Sequence, residues 1–83
     1  MRVLYFAWVR ERVGRASEEI APPTPVATVA DLAAWLANRG PGYAAAFADL
    51  AKLRVAINQD QADFAAPLAA NDEIAFFPPM TGG

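Results

Sequence analysis

The sequence closes with a strand-like apolar run that is followed at once by residues that a sheet cannot hold. The run extends from Glu73 to Phe77. Pro78-Pro79 lacks the backbone donors that a strand ladder needs, and Gly82-Gly83 has no side chain to pack. We therefore expect a final strand that ends at Phe77 and a flexible C-terminal tail over residues 78–83.

A second apolar run, Val3 to Phe6, lies near the start of the chain. Its β-branched and aromatic content predicts a central strand that is covered on both faces. Trp8 to Val13 has the spacing of one or two helical turns, and Gly14 stands where a helix commonly ends. Residues 17–21 predict a short edge strand, because a proline-rich segment stops it.

The middle of the chain has the period of helices. Thr28 is a suitable N-cap for a helix that Gly40-Pro41-Gly42 would end. The apolar positions of this helix form one stripe: Val29, Leu32, Ala33 and Leu36. A second, shorter helix is predicted with Tyr43, Phe47 and Leu50 on one face.

From Leu53 the apolar period changes to two, which predicts a half-buried strand that ends near Asn58. A brief extended piece is expected at 62–64, and a second turn at Asn71-Asp72, with Asn71 suited to a left-handed conformation. This order of elements predicts an α+β fold of the β-grasp, or ubiquitin-like, type over residues 1–77. We expect a mixed sheet with helices packed on one face and with the first and last strands parallel.

The composition limits the chemistry that the side chains can perform. The chain has 0 Cys and 0 His, so thiolate nucleophiles, disulfides and the commonest general base are missing. The net charge is −2 with scattered basic residues, which argues against a nucleic-acid partner. There is no apolar run of membrane-spanning length and no signal-peptide pattern, so we expect no membrane association and a cytoplasmic location.

The carboxylate of Gly83 is the group for which we expect chemistry. It is ionised at neutral pH and must be activated before a nucleophile can attack it. Adenylation by ATP is the usual route, but the chain has no Gly-rich phosphate loop, so a partner would have to supply that step. The stretch from Met80 to Gly83 reaches about 13–14 Å when extended, which is enough to enter a narrow, buried site.

Ordering this tail costs about 4–8 kcal/mol, so the body of the protein must also dock on the partner. We expect the docking surface to comprise Phe77, Pro78, Pro79 and Met80, with the solvent face of the last strand behind them. Strand alternation requires that one of Phe76 and Phe77 lies in the core, and the sequence leaves open which. The alternative for Pro78 and Pro79 is a plain strand stop.

Other candidate residues have a structural interpretation beside the functional one. Asp72-Glu73 could act in acid–base chemistry, but neighbours on a strand face opposite ways, which favours a turn. Trp8 and Trp35 could line a ligand site or the margin of the core. Four arginines could meet an acidic partner or remain solvated surface charges: Arg10, Arg12, Arg39 and Arg54.

Several motifs together resemble the small subunit of molybdopterin synthase, the sulfur carrier of molybdenum cofactor biosynthesis. They are Val3-Leu4-Tyr5-Phe6-Ala7 with Val9-Arg10-Glu11 and Gly14, then Val55-Ala56-Ile57-Asn58-Gln59, then Pro67-Leu68, and then Asp72 to Gly83. The Gly-Gly pair is shared by ubiquitin-like carriers, but the Phe-Phe-Pro-Pro lead-in is typical of this family. One departure is Asn71, where the family commonly has glycine.

The resemblance implies that an ATP-dependent activating enzyme similar to the ubiquitin E1 adenylates Gly83, after which sulfur transfer makes a thiocarboxylate. It also implies a large synthase subunit, bound in a heterotetramer, whose active site takes in Met80, Thr81, Gly82 and Gly83. There the sulfur would attack the cyclic pyranopterin monophosphate precursor, and two donations would build the dithiolene of molybdopterin. Catalytic side chains would belong to the large subunit, and this chain would bind no metal or cofactor, ATP being used by the activating enzyme.

Two other functions are compatible with the sequence. The first is another β-grasp carrier, which would serve thiamine synthesis or tRNA thiolation or would modify protein lysines. The second is a non-covalent interaction module in which the Gly-Gly pair has no chemical role.

Overall fold

A computed structural model describes residues 1–79 and contains a five-stranded sheet with the strand order β2-β1-β5-β3-β4. The strands are β1 (Arg2–Tyr5), β2 (Ser17–Glu19), β3 (Arg54–Ile57), β4 (Asp60–Ala62) and β5 (Glu73–Phe77). The parallel pair β1 and β5 lies in the middle, with Arg2 opposite Glu73 and Tyr5 opposite Phe76. All other pairings are antiparallel. The predicted mixed sheet with parallel first and last strands is therefore confirmed.

Three helices and a 3₁₀ turn complete the described part of the fold. They are α1 (Ala7–Val13), α2 (Val29–Ala37), α3 (Pro41–Ala46) and the 3₁₀ turn Leu50–Lys52. The α2 helix begins with a full capping box, since the Thr28 hydroxyl accepts from the backbone N–H of Asp31 while the Asp31 carboxylate accepts from that of Thr28. Gly14 ends α1 in the left-handed region, with φ 91°, as the sequence predicted.

The ends of the two middle helices differ from the prediction. Gly40-Pro41-Gly42 does not end α2, which stops at Ala37; Pro41 instead occupies the first turn of α3. The fixed φ of proline and its missing N–H suit that position. Leu50 does not share a helix face with Tyr43, because α3 ends at Ala46 and Leu50 opens the separate 3₁₀ turn.

The core lies between one face of the sheet and the helices. Every residue of the predicted α2 stripe is buried, and the inner face of the sheet contributes Val3, Tyr5, Val55, Ile74 and Phe76. Phe47, just after α3, contacts Phe76 edge to face with ring centroids 4.9 Å apart. Within residues 1–79, no helix covers the opposite face of the sheet, and the apolar side chains of that face are partly exposed.

The two predicted turns have different outcomes. Asn58 and Gln59 form a tight hairpin turn between β3 and β4, with φ of 51° and 73°. Asn71 lies in a turn, but it is not among the residues with positive φ, so the left-handed conformation expected for it is wrong. Across residues 1–79, no helix combines the length and the apolar character needed to cross a membrane.

Candidate functional site

The candidate site begins where the central strand β5 leaves the sheet. Phe76 is fully buried on the inner face, whereas Phe77 lies half-buried on the outer face, with Arg54 of β3 as its cross-strand partner. The structure therefore decides the open question of which phenylalanine is core. Pro78 and Pro79 follow as half-buried residues outside any strand. The pairing of β5 with β1 on one side and β3 on the other fixes the direction in which this segment leaves the body.

An apolar surface, which we call the outer patch, lies beside this exit. It consists of Leu4, Phe6, Ala56, Ala75 and Phe77. The register places Leu4 and Ala56 on either side of Ala75. Phe6 continues the extended chain of β1 and is 48% exposed, which is unusual for so large an apolar side chain. The outer patch thus extends the predicted solvent face of the last strand across three neighbouring strands.

Leu4 and Phe6 were not predicted from the sequence to lie at the surface. The prediction of a first strand covered on both faces is wrong, since Leu4 is half-exposed and Phe6 lies beyond the strand, ahead of α1. The chain turns sharply there, because Ala7 has φ 51°. The predicted parallel pairing indicated this exposure, because it places every second residue of the first strand beside the outer face of the last strand.

A second feature, which we call the tail-base depression, lies on the other side of the exit. Its volume is about 380 Å³, and it is lined by Trp8, Arg12, Ala51, Lys52, Pro78 and Pro79. The Arg12 guanidinium lies over the Trp8 ring at 4.4 Å from the ring centroid. The predicted docking residues Pro78 and Pro79 therefore have an aromatic ring and two cationic side chains beside them. That these prolines dock on a partner remains a prediction.

Other predicted residues either lie outside the described part of the chain or have a structural role. Met80, Thr81, Gly82 and Gly83 lie outside the described residues. Asp72 serves a turn, since its carboxylate accepts from the backbone of Ala69 and the side chain of Asn58. Arg39 is engaged within the fold, where it binds Glu18 at 2.8 Å and lies over the Trp35 ring. Trp35 packs at the margin of the core.

The strand order and the parallel pairing of β1 with β5 define the fold class of this protein, which is β-grasp, or ubiquitin-like. The chain belongs to the ThiS family, whose model matches residues 3–83. It is 45% identical to the molybdopterin synthase sulfur carrier subunit of Escherichia coli strain K12, over 100% of this chain and 99% of that relative. The subunit of the same description from Haemophilus influenzae is 40% identical with the same coverage.

The solved structures give the same fold. The crystal structure of SAMP1 from Haloferax volcanii matches with a TM-score of 0.74 and 26% sequence identity. The match covers 100% of this chain and 98% of that one. At this TM-score the two chains share the same overall fold.

Proposed function

We propose that this chain is the sulfur-carrier subunit of a molybdopterin synthase. The observation that carries the proposal is the identity of 45% and 40% to two relatives described as molybdopterin synthase sulfur carrier subunits. Both alignments cover 100% of this chain, so they include Gly82-Gly83 and the Phe-Phe-Pro-Pro lead-in. We further propose that the carrier acts in the cytoplasm.

The reacting group in this proposal is the carboxylate of Gly83. In an activating enzyme resembling the ubiquitin E1, this carboxylate would attack the α-phosphorus of ATP and displace pyrophosphate, which converts a stable anion into a reactive acyl adenylate. A sulfur donor would then displace AMP and leave a thiocarboxylate. The absence of a side chain at Gly82 and Gly83 allows the end of the tail to enter a narrow channel, since glycine has no Cβ to meet the walls.

The thiocarboxylate sulfur would next attack the cyclic pyranopterin monophosphate precursor in the active site of the large synthase subunit, within a heterotetramer. Two such donations would form the dithiolene of molybdopterin. In this scheme the catalytic side chains belong to the large subunit and ATP is used by the activating enzyme. The present chain supplies the sulfur and the surfaces that hold its tail in place.

We propose that the outer patch, with Phe77, Pro78 and Pro79, docks on these partners. An exposed Phe6 next to a half-buried Phe77 gives the patch two aromatic anchors, and such residues dominate the energetics of protein interfaces. Burying them offsets the cost of ordering Met80 to Gly83, about 1–2 kcal/mol for each residue.

The proposal is tested by intact-mass analysis after incubation with the activating enzyme, ATP and a sulfur source. We expect the replacement of one oxygen by sulfur at Gly83. Two variants provide controls: deletion of Gly83, and addition of one residue after Gly83. Both should retain the fold by circular dichroism, because they leave residues 1–79 unchanged, and neither should donate sulfur to the precursor.

An unchanged mass with an enzyme that loads its own carrier would count against the proposal. So would a Gly83-deleted chain that still supported molybdopterin formation in vitro. Isopeptide conjugates to protein lysines would instead identify the chain as a protein modifier. If the chain with one added residue remained fully functional, a non-covalent interaction module would be the better description.

A further inference from the structure

The tail-base depression has a positive charge that the fold does not neutralise. Arg12 and Lys52 are both exposed on its rim, and its lining contains no acidic residue. Within residues 1–79, neither cation lies within 4 Å of a carboxylate. The chain as a whole has a net charge of −2, so the charge of the depression is opposite in sign to the net charge of the protein.

Two other cations are neutralised within the fold by the carboxylate of Glu18. Arg15 and Arg39 bind Glu18 at 3.5 Å and 2.8 Å. Arg54 lines a separate groove together with Asp63. Arg12 and Lys52, by contrast, line one depression that contains no acidic side chain and that includes Pro78 and Pro79.

The geometry of Arg12 suits the recognition of a carboxylate. Its guanidinium carbon lies 4.4 Å from the Trp8 ring centroid, a cation–π contact at the edge of the depression. The N–H donors of a guanidinium match the two oxygens of a carboxylate. Lys52, in the 3₁₀ turn, adds a second charge on the same depression.

We propose that the tail-base depression docks on an acidic segment of the activating enzyme, next to the channel that takes in the tail. This inference rests on the proposed function. Exposed rim charges change association rates more than they change affinity. A carrier that is loaded, released and reloaded depends on rapid encounter with its activating enzyme, and complementary charge provides that encounter.

The test is the association rate constant with the activating enzyme, measured by stopped-flow fluorescence at two salt concentrations. Arg12→Gln and Lys52→Gln should each slow association about threefold at low ionic strength, and the double variant about tenfold. The loss should shrink in high salt, because screening removes long-range attraction. Arg12→Lys retains the charge and should retain most of the rate.

Arg2→Gln is the matched control, since it removes one exposed positive charge at the opposite end of β1. It should slow association less than twofold. Unchanged thermal midpoints show that all variants fold. The inference is overturned if the double variant associates as fast as Arg2→Gln, if its loss is independent of salt, or if only binding to the large subunit is slowed.

The same samples distinguish this inference from the proposed function. Loading of the wild-type chain, read by intact mass, tests the proposed function without reference to the variants. A wild-type chain that is loaded, with variants that associate normally, refutes the inference alone. A wild-type chain that neither associates with the enzyme nor is loaded refutes the proposed function and the inference together.

Discussion

The hydroxyl of Tyr5 on β1 donates a hydrogen bond of 2.8 Å to the carboxylate of Glu18 on the edge strand β2. Tyr43 of α3 donates to the same oxygen at 2.7 Å, and Arg39, between α2 and α3, donates to the other at 2.8 Å. The Glu18 side chain is 6% exposed. One carboxylate thus joins the edge of the sheet to the helical layer.

These contacts determine the protonation state of the Glu18 carboxyl. Burial raises the pKa of Glu18, but the hydrogen bonds from Tyr43, Tyr5 and Arg39 outweigh it, so the pKa of this carboxyl lies below its ordinary value. Burial, together with the hydrogen bond to Glu18, raises the pKa of Tyr5, which remains a donor. Glu18 therefore stabilises the fold fully above the ordinary glutamate pKa, and this stabilisation is lost as the pH falls through the lower, folded-state pKa.

Glu18→Gln should lower the free energy of unfolding by about 2–3 kcal/mol at pH 7, because an amide NH₂ then faces donors that a carboxylate satisfied. The difference from the wild type should begin to shrink below about pH 4, where the Glu18 carboxyl of the unfolded chain is protonated, and should disappear only as the pH falls through the lower pKa of the folded state. Urea denaturation at several pH values measures both effects. Glu19→Gln is the control, since that side chain is 76% exposed, and a loss of equal size there would contradict the role of Glu18.

Gly42 is required by a close approach of two helices. A Cβ built at this position in α3 would collide with the backbone carbonyl oxygen of Arg12 in α1. Gly42→Ala should therefore destabilise the fold by about 1–3 kcal/mol, as overpacking does, since a backbone oxygen cannot rotate away. Gly14 provides a contrast in the same denaturation assay: it has open space for a side chain and φ 91°, so asparagine should be tolerated there but not at residue 42.

Features that depend on local pattern were predictable from the sequence. The β5 strand has the predicted bounds, Glu73 to Phe77, because Pro78 stops a ladder wherever it falls. The Thr28 cap and the α2 stripe were likewise correct, since capping and helical period involve residues within one or two turns. The order of these elements then sufficed for the parallel pairing of β1 and β5.

Features that depend on distant contacts were not predictable in this way. Glu18 binds Arg39 and Tyr43, which are 21 and 25 residues further along the chain, and no sequence pattern marks the three as partners. The exposure of Phe6 depends on the turn at Ala7 and on the lack of a helical layer on that face. Arg12 and Lys52 likewise line one depression only because α1 and the 3₁₀ turn both lie beside Pro78 and Pro79.

Asn58 should stabilise the β3–β4 hairpin through both its backbone and its side chain. Its φ is 51°, its amide donates to Asp72 at 2.9 Å, and its amide oxygen accepts from the backbone of Glu73 at 3.0 Å. Asn58→Gly keeps the backbone conformation and should cost about 1–2 kcal/mol for the lost hydrogen bonds. Asn58→Ala should cost about 1 kcal/mol more, because alanine also resists the left-handed region.

A substitution at Gln59 should change the free energy of unfolding in the opposite direction, and it therefore provides a control for the hairpin. Its φ is 73°, so Gln59→Gly relieves an unfavourable conformation and creates the Asn-Gly pair that such turns prefer. We expect the free energy of unfolding to rise by about 0.5–1 kcal/mol. If Gln59→Gly were destabilising, or Asn58→Gly neutral, the proposed contribution of this turn would be wrong.

Substitutions of the adjacent residues Phe76 and Phe77 should have different effects, the first on stability and the second on partner binding. Phe76 is fully buried against Phe47, so Phe76→Ala should cost about 3–5 kcal/mol of unfolding free energy. Phe77 belongs to the half-exposed outer patch, so Phe77→Ala should cost no more than about 1 kcal/mol. Its main effect should be on binding, with the Kd for the large subunit raised at least about tenfold, as for an interface anchor.

Denaturation and isothermal titration calorimetry on the same preparations measure the two effects for Phe77→Ala, and Phe6→Ala provides a second change within the outer patch. Phe6 is 48% exposed, so its loss should leave stability nearly unchanged while it weakens binding. Binding by both variants at wild-type affinity would place the partner interface elsewhere on the molecule. In that case the residues around the exit of β5 would have only the structural role of ending the strand, because Pro78-Pro79 is sufficient to stop the ladder without a docking partner.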